Sequence, residues 1–454
     1  MRERDARITC LPERTFDLLT THIRMIKRIP TRFRVHIKNL LWAAAEYVSL
    51  PLLNLLATPI FIKTLGTAGF ALWMLALSVS GMAGIAGLGM SSAAMKYVAE
   101  FRGRGEHEAV AGVIRQTLCI ALCGGAIVAG CISLCAPLLA RHAFPAMGEF
   151  EEVTAVIIGA AVLLFISQAD SVFAAAIKGF ERFDLGARLD MAIKFLFIAI
   201  TIAAAVLTQK IFVVIAAALA VASLGLVARA TLACRVVGAS VFLPCWEPSL
   251  AREVLQFGVW NWLQGIASSL FTYFDRLLIA STLGAVAMAH YSICTQLASQ
   301  VHSIPAAGLS ALLPLASRKL GENRATDMAR INQLSVLVNV VFALLLALPL
   351  WSFSEEILSL WIGSEIAGSS SKLLFWMTLV YFLLSLSVAP YYLLLAQGQA
   401  RFVSIVNLSG GVVTTIAALV LIPVFGLIGG VLARSFYLPI LSLTFLRLSW
   451  RKLS

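Results

Sequence analysis

Charged residues are scarce in this chain. Asp, Glu, Lys and Arg make up 13% of its 454 residues, while 60% are hydrophobic; an ordinary soluble domain carries about 25% charged and 45–50% apolar residues. Even a large soluble domain buries only about three quarters of the surface of its unfolded chain, too little to hide so much apolar side chain. A soluble enzyme, a nucleic-acid-binding protein and a disulfide-stapled secreted domain are excluded, and the chain reads as an integral membrane protein. Long polar stretches are missing too. The longest predicted outer loop lies near 354–371, too short for a folded domain, so any function sits within the helical bundle or at its rims. No glycine-rich phosphate loop, zinc-ligand spacing or serine-nucleophile pattern stands out, which predicts no cofactor, no metal and no enzymatic chemistry. The eight cysteines form no disulfide framework. Cys119, Cys123, Cys131 and Cys135 fall on one face of a single helix, which cannot wrap a tetrahedral metal, and they read as small apolar residues.

What the chain has in abundance is apolar runs. A membrane span needs about 20 apolar residues, and twelve candidates lie near 39–62, 70–94, 112–138, 153–177, 191–208, 211–233, 257–281, 286–314, 331–353, 372–396, 402–422 and 425–446. Acidic residues are the minority charge, 23 against 35 Lys+Arg, and Lys and Arg collect in cytoplasmic loops. With the N-terminus inside, 29 of the 35 fall on the inner side and four on the outer, while Arg276 and Arg434 lie within spans. Both termini are therefore predicted to be cytoplasmic. Residues 1–38 form a basic segment that sets topology or rests on anionic lipid. Its apolar content begins too late for a cleavable signal peptide, and Met25 is a credible alternative start.

The two halves of the chain repeat at an offset of 218 or 219. Thr64-Leu65-Gly66 pairs with Thr282-Leu283-Gly284, Trp42 with Trp260, Ser92-Ala93 with Ser310-Ala311, and Arg182-Phe183 with Arg401-Phe402. Six spans fit in one offset, so the halves, 39–253 and 254–454, share one orientation. Parallel repeats of this kind are a transporter architecture with a site between the halves, and matching helix interruptions point to that site. The second span carries Gly81, Gly84, Gly87 and Gly89, and the eighth carries Pro305, whose equivalent is Gly87. The tenth carries Pro390, whose equivalent is Ser171. Proline kinks a helix and glycine lets helices approach, so each is read either as cavity lining or as packing.

Charge inside a span is costly and marks function by default. Glu46, Asp170, Asp275, Arg276 and Arg434 are such groups, and Gln264 stands at the position equivalent to Glu46. These six are the candidate substrate-binding residues. Arg434, near the predicted midplane, suits an anion because its guanidinium stays charged and forks onto phosphate oxygens; the alternative is a buried ion pair with Glu46, Asp170 or Asp275. Asp275 and Arg276 point about 100° apart on a helix, so they are expected to serve different partners. His290 and His302 serve either proton coupling or polar packing.

Lys178-Gly179-Phe180-Glu181-Arg182-Phe183-Asp184-Leu185 resembles the inner-loop signature of the polysaccharide-exporter branch of the multidrug/oligosaccharidyl-lipid/polysaccharide flippase superfamily. So does the run from Leu255-Gln256-Phe257-Gly258 through Asp275-Arg276-Leu277-Leu278-Ile279 to Leu283-Gly284 and Tyr291-Ser292. The resemblance covers about residues 36–450 and implies an all-α membrane protein of about twelve helices in two parallel six-helix halves, forming a V-shaped bundle. It also implies a flippase that moves a polyprenyl-diphosphate-linked oligosaccharide across the bacterial inner membrane by alternating access. Its partners would be that lipid-linked oligosaccharide, membrane lipids, a coupling cation (proton or sodium) and other polysaccharide-assembly membrane proteins, with no nucleic acid. The alternatives are a cation-coupled exporter of the multidrug and toxin extrusion type, and a membrane glycan polymerase or ligase.

Overall fold

The computed structural model describes residues 31–309, 312 and 325–450. Every regular element among them is a helix. The basic segment lies largely outside the described residues, as does the side chain of Glu46. Among the described residues, nine apolar helical stretches are long enough to cross a membrane: Ser49–Ala86, His107–Ala143, Phe150–Gly179, Phe183–Thr208, Ile211–Val237, Asn261–Leu309, Ile331–Ser352, Ser364–Ala396 and Ala400–Leu448. Three of them are double. The chain reverses at Gly66 (φ 72°), Gly284 (φ 83°) and Gly426 (φ 59°), where the helical geometry is lost. A residue with a Cβ resists that left-handed conformation, so glycine stands at each reversal. Nine stretches thus hold twelve spans, arranged as two six-helix halves of an all-α membrane protein. Gly66 and Gly284 are one repeat offset apart and make the same turn, so the repeated Thr-Leu-Gly is a repeated corner.

The second and eighth spans are both interrupted. The second breaks into Ala83–Ala86 and Met90–Arg104, with Leu88 and Gly89 at positive φ between them. The eighth breaks at Ser299, ahead of Gln300–Leu309 with buried Pro305 inside it. The glycines around the first break mostly pack rather than line space. Gly84 and Gly89 lie on the seventh span at Gly265 and Gly258, so close that a Cβ on Gly89 would run into the Gly258 carbonyl. Gly87 abuts Gln168. The broken turn leaves the Ile85 carbonyl in need of a donor, and Trp262 Nε1 donates to it at 2.7 Å, while Gln168 Nε2 donates at 3.2 Å to Ala83 O, which also accepts from Gly87 N. In the tenth span, Leu386 and Ser387 interrupt the helix and Pro390 sits in the first turn of Val388–Ala396, where its missing N–H costs nothing. Its equivalent, Ser171, lies in the unbroken helix Phe150–Gly179, so this interruption is not repeated.

The predicted outer loop near 354–371 is largely helical. Residues Ser354–Ile362 form a short helix that buries Leu358, and a new helix starts at Ser364. The hydrophobic residues that follow Glu355 and Glu356 supply an apolar face. Trp361 on this helix donates Nε1–H to Leu55 O at 2.8 Å. Leu55 is four residues before Pro59, which has no N–H for it, so the tryptophan satisfies a carbonyl that the first span cannot. Two further bonds join the halves. Thr58 Oγ1 donates to Gln296 Oε1 at 2.8 Å, and Ala285 N donates to Ala146 O at 3.2 Å. These bonds hold the halves together toward the Gly66/Gly284 end, in addition to the Trp262–Ile85 bond and the glycine contacts between the second and seventh spans.

Candidate functional site

Between the halves lies a cavity of about 590 Å³, walled by the first, second, fourth, fifth and sixth spans and, from the other half, by the seventh and eighth. Its charged lining is Asp170, Asp190, Lys194, Arg229 and Arg276, three cations against two carboxylates among the described residues. Arg229 is the hub. Its side chain is 5% exposed, its Nε lies 2.7 Å from Asp170 Oδ1, and its Nη2 lies 2.7 Å from Asp190 Oδ1. Lys194 Nζ takes the other oxygen of Asp190 at 2.8 Å, one helical turn along. Two carboxylates so close would repel in a low dielectric, and the planar guanidinium between them offsets this by presenting separate N–H groups to each. On the facing wall, Arg276 Nε is buried without a hydrogen-bond partner among the described residues. Burying such a donor unpaired is expensive, and here its guanidinium borders open space.

A second charged centre lies inside the C-terminal half. Arg434 is 1% exposed. Its Nε donates to Asp275 Oδ2 at 2.7 Å and to Tyr291 OH at 3.1 Å, and its Nη1 donates to Tyr381 OH at 2.6 Å. Tyr291 OH donates to the same carboxylate oxygen at 2.5 Å. The guanidinium also lies over the Phe271 ring, 4.8 Å from its centre. Each element has a local cause. The π turn Leu270–Phe274 directly precedes Asp275, and the extra residue of such a turn re-aims the side chains beyond it. Asp275 thus faces Arg434, while Arg276, the next residue, faces the central cavity.

A third space, about 370 Å³, lies within the same half and is lined by Gln264, His302, Tyr381, Tyr391, Asn407 and Tyr437 among others.

Residues 37–320 match the family described as polysaccharide biosynthesis protein. The chain belongs to the polysaccharide biosynthesis protein family. Residues 262–427 also match the family described as MatE. A Shigella flexneri protein described as a proposed O-antigen transporter is 21% identical over 415 residues, which cover 88% of this chain and 94% of that protein. Among solved structures, the lipid II flippase MurJ in an inward closed conformation superposes with a TM-score of 0.70 at 14% identity, covering 89% of this chain and 86% of that one. An inward-facing multidrug resistance MATE transporter of the MOP superfamily gives 0.65 at 14% identity, covering 90% and 98%. A MOP superfamily transporter from Pyrococcus furiosus gives 0.58 at 15% identity, covering 91% and 95%. The fold is that of these MOP superfamily proteins.

In this polysaccharide biosynthesis family member the sequence-derived candidates separate into three places. Asp170 and Arg276 line the central cavity. Asp275 and Arg434 meet each other in the buried pair and do not line that cavity, so of the two readings of Arg434 the geometry displays the ion pair. Gln264 lines the smaller pocket, and Pro305 and Pro390 are buried. His290 Nδ1 lies 2.8 Å from Ser370 Oγ, a packing contact between helices. Sequence reasoning missed Asp190, Lys194 and Arg229 as site residues. The charge count places Lys194 and Arg229 with the inner loops, whereas both lie inside helices, Phe183–Thr208 and Ile211–Val237. One signal was present: Asp190 and Lys194 stand at i and i+4, one face of one helix.

Proposed function

We propose that this protein is a flippase for a polyprenyl-diphosphate-linked oligosaccharide of the bacterial inner membrane. The observation that carries the reading is the central cavity, lined by three cations against two carboxylates among the described residues, with the Arg276 Nε not spent on any of their acceptors. A diphosphate crossing the low-dielectric interior needs such groups, and a forked guanidinium holds phosphate oxygens in pairs. Both carboxylates are engaged by Arg229 or Lys194, which disfavours a cationic drug at this position. The halves 39–253 and 254–454 would rock about the glycine seam between the second and seventh spans, opening the contacts of Trp361, Thr58 and Ala285. The apolar tail would stay in lipid throughout. Deleting the gene in its host should stop surface display of one glycan and strand its lipid-linked unit on the inner leaflet. Normal glycan display with new drug sensitivity would select the multidrug exporter instead.

Both termini are proposed to be cytoplasmic. The support is the charge asymmetry, 29 Lys and Arg inside against four outside. In a cysteine-free background, cysteine at exposed Ser364 should react with an impermeant thiol reagent in intact cells, whereas cysteine at exposed Ala239 should react only after lysis. The opposite labelling would reverse the orientation.

A further inference from the structure

We propose that the pocket inside the C-terminal half binds a neutral pyranose sugar. The pocket is bounded by the seventh, eighth, tenth, eleventh and twelfth spans, and among the described residues no Asp, Glu, Lys or Arg lines it. Several of its polar groups keep hydrogen-bonding capacity for a ligand after the bonds they make within the protein. Tyr381 accepts from Arg434 Nη1 through its phenol oxygen, so its own proton remains to be donated. Asn407 accepts from Tyr437 OH at 3.0 Å through Oδ1, so its two amide hydrogens remain. His302 Nδ1 is buried and has no partner among the described residues. Around these groups stand aromatic rings: Phe271 against Tyr437 with centroids 4.9 Å apart, and Tyr391 against Tyr392 at 5.2 Å.

Three ligand classes can be weighed against this lining. A charged ligand would lose its hydration with no ionic partner in return. A plain hydrocarbon would leave the Tyr381 hydroxyl proton, the Asn407 amide hydrogens and His302 Nδ1 without partners, at the cost of covering unpaired polar atoms. A pyranose meets both demands, because each hydroxyl both donates and accepts while the ring presents an apolar face of C–H groups to the aromatics. The volume, about 370 Å³, falls at the low end of small-molecule sites and suits one ring rather than a chain of them.

The pocket shares a wall with the central cavity. Phe271 and His302 face the pocket, and their chain neighbours Thr272 and Ser303 face the cavity. A diphosphate at Arg276 would therefore lie one helix away from a sugar in the pocket. That link to a transported substrate rests on the function proposed above; sugar binding by the pocket does not.

The test uses the purified full-length protein in a detergent without a sugar headgroup. The probes are the methyl pyranosides of glucose, galactose, mannose and N-acetylglucosamine, followed by saturation-transfer NMR. At least one should bind saturably, without competition from inorganic diphosphate, and Asn407→Leu or Tyr391→Leu should weaken it roughly tenfold or more, the effect of about 1.4 kcal/mol. Should those variants fold poorly, the same sugar should slow maleimide labelling of a cysteine placed at Ser268 in a cysteine-free background, since Ser268 lines the pocket and is exposed. Absence of saturable binding by all four, or binding and labelling indifferent to the pocket changes, overturns the proposal. Binding by the pocket in a protein whose deletion leaves surface glycans intact would sink the flippase reading alone. Loss of glycan on deletion without sugar binding would sink the pocket alone.

Discussion

Arg434→Gln is expected to cut the amount of folded protein in the membrane several-fold. Arg434 is among the largest fully buried side chains of the molecule, and three of its contacts are polar: Asp275, Tyr291 and Tyr381. Glutamine is too short to reach all three and carries no charge. Asp275 would then keep only the Tyr291 hydroxyl and the backbone N–H of Arg276 among the described residues. Removing one partner of a buried ion pair costs about 3–5 kcal/mol, a large share of the roughly 5–15 kcal/mol that separates folded from unfolded states. Adding Asp275→Asn should restore part of the lost abundance, because replacing both charges removes the orphan. Arg434→Lys should fall between, since the ammonium keeps the charge but cannot reach two partners as a planar fork. Immunoblots of the membrane fraction, with thermal melts of the purified variants, give the readout. A Gln variant of normal abundance and normal melting would show that the pair does not hold the C-terminal half together.

Arg276→Gln is expected to behave in the opposite way. Its buried Nε has no hydrogen-bond partner among the described residues, so its loss should leave abundance near normal. Transport, however, should fall by at least tenfold, because the facing wall of the cavity would lose its only cation among the described residues and the lining its net positive charge. Each tenfold corresponds to about 1.4 kcal/mol of lost interaction with the diphosphate, modest for a charge-assisted pair. Arg276→Lys should keep part of the activity. Arg229→Gln provides the contrast: it strands Asp170 beside Asp190, which keeps only Lys194 as an ionic partner among the described residues, so both abundance and transport should fall. Full transport by a normally abundant Arg276→Gln protein would remove Arg276 from the site.

How much could be read in the sequence depended on the range of each feature. The twelve spans and the corners at Gly66 and Gly284 were legible because they rest on local composition and on a repeat. Both the second and the eighth spans are interrupted, but the eighth breaks at Ser299, six residues before Pro305, the residue equivalent to Gly87. Partnership was not legible. Arg434 had three candidate carboxylates, and choosing Asp275 requires knowing which spans touch and how each is rotated. The π turn at Leu270–Phe274 adds a residue and turns the side chains beyond it by about 100° relative to a plain helix, which no spacing rule anticipates. Arg229 was hidden by the charge count: it lies within the expected span 211–233, close enough to its inner end to be counted with the loop cations, and the structure keeps it inside Ile211–Val237. The helix Ser354–Ile362 was hidden because its acidic first turn reads as a polar loop, although those carboxylates suit a helix N-terminus and Trp361 is needed at the Leu55 carbonyl.

The most direct test of the central claim is a flipping assay with the purified protein in liposomes. A polyprenyl-diphosphate oligosaccharide labelled on its sugar is placed in both leaflets, and an impermeant quencher reports the share exposed outside. With the wild-type protein, quenching should proceed beyond the outer-leaflet pool to nearly all of the lipid, and with Arg276→Gln it should stop at the outer-leaflet pool, as in protein-free vesicles. Quenching confined to the outer leaflet with wild-type protein, alongside gradient-driven movement of a lipophilic cationic dye, would contradict the account.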